Sequence, residues 1–192
     1  MSLPTLLANL VAQEDLSDEQ MTLLMHAIMT GEATEAQIGS ALTALRIKGE
    51  TVVEIAAAAK VMRALAARVT VDTSGLVDTC GTGGSGSNKF NVSTASAFVA
   101  AGAGIKVAKH GNRAATSKSG AADVLEALGI RIELNGSQVA QLVEEIGLGF
   151  CFAPMFHSAM RHAGPARKSL GYPTIFNILG PLSNPAQPNA YA

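Results

Sequence analysis

The 192-residue chain has no tryptophan, and aromatic side chains make up only 4% of it. So few flat side chains argue against a stacking platform for single-stranded nucleic acid. Charge is also sparse: Lys, Arg, Asp and Glu together account for 15%, and the net charge is -1. No global basic excess points to a polyanionic partner. With 48% apolar residues, the composition excludes wholesale disorder and allows a sizeable core. There are two cysteines, Cys80 and Cys151, and neither sits in a CxxC pair. Both lie in apolar, strand-like runs and read as reduced core residues of a cytoplasmic protein. The apolar runs are broken by Gly, Ser, Lys or Glu well short of the roughly 20 residues that a membrane helix needs. The opening MSLPTLLANLVAQED lacks a basic segment and acquires acids early, so no secretory signal is expected.

The first 70 or so residues carry helical signals. Ser17 with Gln20, Thr34 with Gln37 and Thr51 with Glu54 each fit the reciprocal S/T-x-x-E/Q capping pattern, and each precedes an apolar-periodic run. Gly31 and Gly49 stand where left-handed helix ends are expected. Leu3 to Val11 reads as a further helix. This region holds no cluster of His, Cys or acids with ligand spacing. His26, on an apolar face, reads as a packed core histidine. The whole segment fits a packing or dimerisation bundle.

Near Val71 the pattern changes. The run LVDTC leads into GTGGSG and then the small-residue helix STASAFVAAGAG. A strand-like IKVAK, the polar loop HGNRAATSKSG, a helix ADVLEALG, a strand IRIEL, a helix SQVAQLVEEIG and a strand LGFCFAP follow. Strands alternating with helices predict a parallel α/β sheet, with the many Ala and Gly residues letting helices lie close to it. After Pro154 the chain turns helical again. Proline and asparagine are expected to end regular structure in TIFNILGPLSNPAQP.

Gly81, Gly83 and Gly86 satisfy G-x-G-x-x-G between a strand and a helix. The pattern suits a phosphate, because glycines let backbone N–H groups approach an anion at a helix start. A tight ligand-free turn satisfies it equally. A dinucleotide site wants an acid about 20 positions further on, where this chain has Lys106, Lys109 and His110. A P-loop wants Gly-Lys-Ser/Thr, and here Lys89 is followed by Phe90. A phosphate-rich sugar fits better. The first loop brings the hydroxyls of Thr82, Ser85, Ser87, Ser93 and Thr94, and the second brings Lys109, His110, Arg113 and Lys118. Both loops are expected at the carboxyl ends of parallel strands, where such sheets bind ligands. A solvated surface loop is the alternative for the basic group.

Three blocks, CGTGGSGSNKFNVSTASAFVAA, VAKHGNRAATSKSGAADVLEALG and FAPMFHSAMRHAGPARKSLGYPTIFNILGPLSNP, resemble successive signatures of the anthranilate phosphoribosyltransferases. The capped helices resemble that family's small helical domain. The resemblance implies a small all-α amino-terminal domain over residues 1–71, rejoined by a return segment near 157–185. It implies that residues 72–192 are the first part of a parallel-sheet α/β phosphoribosyl-transfer domain. It further implies a site for phosphoribosyl pyrophosphate (PRPP) at Gly81, Thr82, Gly83, Gly84, Ser85, Asn91, Ser93, Thr94, Lys109 and Ser117, with Ser93 helping to hold Mg²⁺. The anthranilate residues it implies are Gly81, His110, Asn112, Pro154, His157, Arg167 and Gly180. A planar guanidinium at Arg167 suits a carboxylate, although the same residue also suits a plain helix-end cation. The implied reaction is displacement of pyrophosphate from the anomeric carbon of PRPP by the amine of anthranilate. No residue is assigned as an acid or base, because the amine becomes acidic as its bond to carbon forms. The partners implied are the two small molecules and a second copy of the chain through the helical domain, in the cytoplasm.

The chain departs from the family in three places. Ser85 replaces the usual aspartate of GTGGD, removing a carboxylate beside the pyrophosphate. Thr116 replaces serine. The adjacent Asp-Glu pair that holds a second Mg²⁺ in the family does not follow the signature blocks, so a fragment of low activity and incomplete core is expected. Two other functions fit the same sequence less well. One is a nucleoside phosphorylase of the same broad fold, and the other is a non-catalytic relative that binds nucleic acid through basic surface.

Overall fold

The computed structural model describes residues 1–81, 90–114 and 119–192. In chain order the helices are α1 (Leu3–Val11), α2 (Asp18–Thr30), α3 (Glu35–Lys48), α4 (Val52–Leu65), α5 (Val92–Gly102), α6 (Ala121–Ala127), α7 (Gly136–Ile146), α8 (Ala153–Phe156), α9 (Gly164–Leu170) and α10 (Ile175–Leu182). The strands are β1 (Val77–Asp78), β2 (Val107–Gly111), β3 (Leu148–Phe152) and β4 (Ala190–Tyr191). The chain divides into two compact units: residues 1–65 with 158–182, and residues 66–157 with 183–192. Among the described residues, no helix is long and apolar enough to cross a membrane.

The first unit is helical. Its helices begin where the capping patterns predict. Ser17 N donates to Gln20 Oε1 at 2.8 Å, and Gln20 N donates back to Ser17 Oγ at 3.3 Å. Thr34 with Gln37 and Thr51 with Glu54 do the same. Each box satisfies two helix-start N–H groups that would otherwise lack partners. Gly31 ends α2 with φ 82°, in the left-handed conformation. The buried stripe of α2 is Met21, Leu24, Met25, Ile28 and Met29. His26 falls outside that stripe and is exposed, so the expected core histidine is a surface residue. Its apolar neighbours in sequence point the other way because of the 3.6-residue turn. The core of this unit is completed by Ile175, Phe176 and Leu179 of α10. The segment expected to be irregular is therefore helical over Ile175–Leu182. Its apolar side chains at i, i+1 and i+4 have a core to bury in, which outweighs the backbone hydrogen bond that Pro181 cannot donate near the helix end.

The second unit is a four-stranded parallel sheet in the order β3-β2-β1-β4. Helices cover both faces, as parallel sheets require. Along β3, Cys151 packs in one cluster with Val139 and Val143 of α7, while Phe150 and Phe152 pack in another with Ala122 and Leu125 of α6. This alternation is the period of two of a strand buried on both sides. Residues 130–134, expected as a strand, are not one. Ile132 and Leu134 alternate inward as a strand would, but they enter two different clusters, and Leu134 N bonds locally to Ile132 O at 3.0 Å. Alternation alone does not supply a partner strand.

Close packing of α7 on the sheet depends on Gly149. A β-carbon there would sit 2.7 Å from Val143 Cγ2 and 2.9 Å from both Val139 Cγ1 and Val139 O. Gly149→Ala is expected to lower stability by about 1–3 kcal/mol through overpacking, read as a lower urea midpoint. An unchanged midpoint would show that the helix can retreat freely.

Candidate functional site

Parallel pairing of Val77 with Val107 sets the carboxyl ends of β1 and β2 side by side. The chain leaves β1 through Thr79, Cys80 and Gly81. It leaves β2 through Gly111 and Asn112. The helix α5 starts nearby: the Asn91 side chain caps it by accepting from Thr94 N at 3.1 Å, and Ser93 Oγ also donates to Asn91 Oδ1 at 3.2 Å. Thr79 Oγ1 donates to Ser93 O at 2.8 Å, tying the end of β1 to the first turn of α5.

Lys109 sits among these groups. Its side chain comes from β2 and is 3% exposed. Its Nζ lies 3.3 Å from Thr79 O, 3.4 Å from Thr79 Oγ1 and 3.2 Å from Ser93 Oγ. All three acceptors are neutral. Among the described residues, Lys109 makes no salt bridge. Burial pushes its pKa down, and the nearby Cys80 and Asp78 pull it partly back. A buried ammonium held by neutral oxygens at the mouth of a helix start is a place for an anion. Cys80 is half-buried and its thiol is pushed up to about 11 by burial and Asp78, so it is a poor nucleophile at neutral pH.

The other basic residues part company. Arg113 is exposed and is taken up by Glu126 and Asp123 of α6, with its guanidinium 5.6 Å from the Phe152 ring centroid. It therefore does not join Lys109 as the loop's spacing suggested, because α6 supplies acids at helical spacing beside it. Lys118, like Thr82, Gly83, Gly84, Ser85, Ser87, Thr116 and Ser117, lies outside the described residues.

His110 and His157 are brought together. Both are buried, their rings are 5.1 Å apart at 60°, and burial pushes the pKa of His157 down. Asn112 and Pro154 are exposed in the same unit. Arg167 and Gly180 belong to the helical unit. Arg167 is half-buried, stands 5.1 Å over the Phe176 ring, and is pushed down in pKa by burial. Thr94 is buried, and its hydroxyl has no partner among the described residues.

Two residues of this site were not singled out in the sequence. Asp78 is fully buried at the end of β1, and Asn184 is fully buried beside it. Asn184 Nδ2 donates to Asp78 Oδ2 and to Ala108 O, each at 2.8 Å. Burial pushes the Asp78 carboxyl above the ordinary aspartate range, against the opposing pull of Asn184, the His110 N–H and Lys109. The available signal was a lone acid inside the apolar run LVDTC, since a buried acid needs partners.

A divalent cation would find few ligands here. Among the described residues, no group of three or more His, Cys, Asp or Glu could hold a metal. The half-buried Ser93 hydroxyl fits a single protein oxygen on a Mg²⁺ that keeps its waters and arrives with a substrate's phosphates.

Comparison with known proteins gives a consistent picture. Residues 4–66 match the helical bundle domain of a glycosyl transferase family, and residues 73–191 match that family's a/b domain. An anthranilate phosphoribosyltransferase from Hahella chejuensis is 59% identical over 97% of this chain and 54% of its own length. One from Saccharophagus degradans is 60% identical with the same coverage. The crystal structure of the Thermus thermophilus anthranilate phosphoribosyltransferase superposes with a TM-score of 0.92 at 46% identity, covering 97% of this chain and 57% of that one. The Saccharomyces cerevisiae enzyme in complex with PRPP and Mg gives 0.85 at 36% identity, covering 96% and 55%. The chain thus spans about half the length of the curated relatives it matches.

Proposed function

The chain belongs to the glycosyl transferase family with a helical bundle domain and an a/b domain, and on that footing we propose that it transfers the phosphoribosyl group of PRPP to the amine of anthranilate. The products are phosphoribosyl-anthranilate and pyrophosphate. The observation that carries this reading is Lys109, a buried ammonium with only neutral acceptors at the joint mouth of β1, β2 and α5. The solved yeast relative with PRPP and Mg supports the same ligand chemistry.

In this reading Gly81, Asn91, Ser93, Thr94 and Lys109 serve the phosphates, with Thr82, Gly83, Gly84, Ser85 and Ser117. His110, Asn112, Pro154, His157, Arg167 and Gly180 serve anthranilate. The barrier lies in separating a highly charged leaving group from an electron-poor ribose carbon. Lys109 and the α5 start stabilise that departing charge, and fixed positioning of the amine supplies the rest. Ser93 would hold Mg²⁺, which when bound adds positive charge against the pyrophosphate oxygens. His157 is held neutral by burial and shapes the site without moving a proton. The protein acts in the cytoplasm as a homodimer through its helical unit, whose exposed Val11, Ile47, Val52 and Val53 are apolar. The exposed Phe90, Val92, Phe98 and Val99 around α5 fit a polypeptide of the relatives' length, with more chain packed there.

The test is loss of anthranilate fluorescence with PRPP and Mg²⁺. The protein assayed is this chain fused to the remaining half of the Hahella chejuensis relative, beside the 192-residue chain of verified mass. The fusion is expected to consume anthranilate only when PRPP is present. A folded, inactive fusion that cleaves nucleosides with phosphate would move the function to phosphorolysis. In the active fusion, Arg167→Lys is expected to raise KM for anthranilate by roughly 10-fold or more while leaving KM for PRPP within about twofold, because an ammonium cannot make the paired guanidinium contact. Equal rises in both would remove Arg167 from the anthranilate carboxylate.

A further inference from the structure

We infer that Asp78 and Asn184 form a buried positioning pair that sets the backbone on both sides of Lys109, an assignment that rests on the PRPP reading above. One oxygen of Asp78 accepts from two chain segments at once: from Cys80 N at 2.9 Å and from His110 N at 3.0 Å. Cys80 is the residue before Gly81, and His110 is the residue after Lys109. A single atom therefore aims the exit of β1 and the exit of β2. The other oxygen is held by Asn184 Nδ2 at 2.8 Å. Asn184 is itself fixed, because Nδ2 also donates to Ala108 O at 2.8 Å and Oδ1 accepts from Ala186 N at 2.8 Å. Both side chains are 0% exposed.

The network has one consistent polarity. Asn184 needs its oxygen for Ala186 and its amino group for Ala108, so it cannot turn over. It presents a donor to residue 78 and requires an acceptor there. Asp78→Asn keeps shape and volume and keeps an oxygen for Cys80 and His110, but its amino group then faces the amino group of Asn184. Relief requires one residue to move, and the moving atoms carry Gly81 and Lys109 with them. Misplacement of about 1 Å in such a site costs on the order of 100-fold. The paired exchange Asp78→Asn with Asn184→Asp restores a donor facing an acceptor and keeps the bonds from Cys80, His110 and Ala186. The bond to Ala108 O is lost, and the new carboxylate oxygen stands against that carbonyl, so the exchange restores the contact between positions 78 and 184 but not the one to Ala108.

The experiment measures the affinity of PRPP with Mg²⁺ by calorimetry for the wild-type chain, Asp78→Asn and the paired exchange, with amide hydrogen exchange on the same proteins. Asp78→Asn is expected to bind at least about 10-fold more weakly, and the paired exchange to recover part of that loss, because the contact at Ala108 O stays unfavourable. In the wild-type chain the Cys80 and His110 amides are expected to exchange far more slowly than Gly81, and faster in Asp78→Asn. Unchanged affinity in a folded Asp78→Asn, or Cys80 and His110 amides that exchange no faster in it than in the wild-type chain, overturns the assignment. If Asp78→Asn does not fold, free exchange of the wild-type Cys80 and His110 amides overturns it and protection supports it. A wild-type chain that does not bind PRPP defeats the PRPP reading instead, and the exchange data then still decide whether the pair holds the two strand exits.

Discussion

Lys109→Met is expected to weaken binding of PRPP with Mg²⁺ by roughly 10- to 100-fold, the cost of losing hydrogen bonds between charged partners. Methionine matches the stem of lysine closely enough to fill the same space. What it removes is an ammonium whose three neighbours, Thr79 O, Thr79 Oγ1 and Ser93 Oγ, are all neutral. Burial already works against that charge. A side chain kept charged at such a place contributes little to folding and much to an arriving anion, which lifts its desolvation cost on binding. The thermal midpoint of the variant is therefore expected to stay within a few degrees of wild type while affinity falls. A variant that binds as tightly as wild type would remove Lys109 from the phosphates. A variant that unfolds would make it a structural residue.

Glu54→Leu is expected to destabilise the helical unit by about 3–5 kcal/mol, the range for breaking a buried ion pair from one side. Glu54 is 0% exposed and closes three interactions. It accepts from Leu16 N at 2.9 Å, from Thr51 N at 2.8 Å as the third residue of the capping box, and from Lys48 Nζ at 2.9 Å. Lys48 is itself almost fully covered, and its other acid, Asp15, is largely solvent-exposed. Leucine leaves the ammonium with the exposed Asp15 and the Gly49 carbonyl, and the Leu16 and Thr51 N–H groups without their acceptor. The same geometry sets the pH response. Burial alone pushes the Glu54 carboxyl up, but the N–H groups of Thr51 and Leu16 and the Lys48 ammonium together hold it below the ordinary glutamate value. A carboxyl depressed on folding contributes stability fully above its unfolded pKa of about 4.3 and loses it as pH falls through the lower folded value. Urea midpoints at neutral pH and near pH 3 are expected to differ more for wild type than for Glu54→Gln. Equal differences would show that the pair carries no pH-dependent stability.

The parts of the fold that were readable in the sequence are those set by contacts a few residues apart. Ser17 with Gln20, Thr34 with Gln37 and Thr51 with Glu54 announce three helix starts, and each forms its reciprocal pair. Lys109 within β2 follows from strands alternating with helices, whereas of the glycine-rich run only Gly81 lies among the described residues. What depends on distant partners was misread. Residues 130–134 alternate like a strand but gain no neighbouring strand, and His26 sits one position off the buried stripe of α2. Helix α10 exists because the core of the first unit receives Ile175 and Phe176, whereas locally its proline and glycine argue for a break. Arg113 looked like a ligand for phosphate until α6 placed Glu126 and Asp123 against it. Asp78 and Asn184 are 106 positions apart, and neither residue alone signals the bond between them. The Ser85 departure falls outside the described residues, so its effect rests on the sequence alone.

The most direct test of the central claim is a ¹⁵N-resolved NMR titration of the 192-residue chain with PRPP and Mg²⁺. Binding at the mouth of β1, β2 and α5 predicts that the amides of Gly81, Thr94, Lys109 and His110 shift together and saturably, with inorganic pyrophosphate competing, while those of α1, α2 and α3 stay in place. No shift at millimolar PRPP, or shifts confined to the helical unit, would contradict a phosphate site built around Lys109.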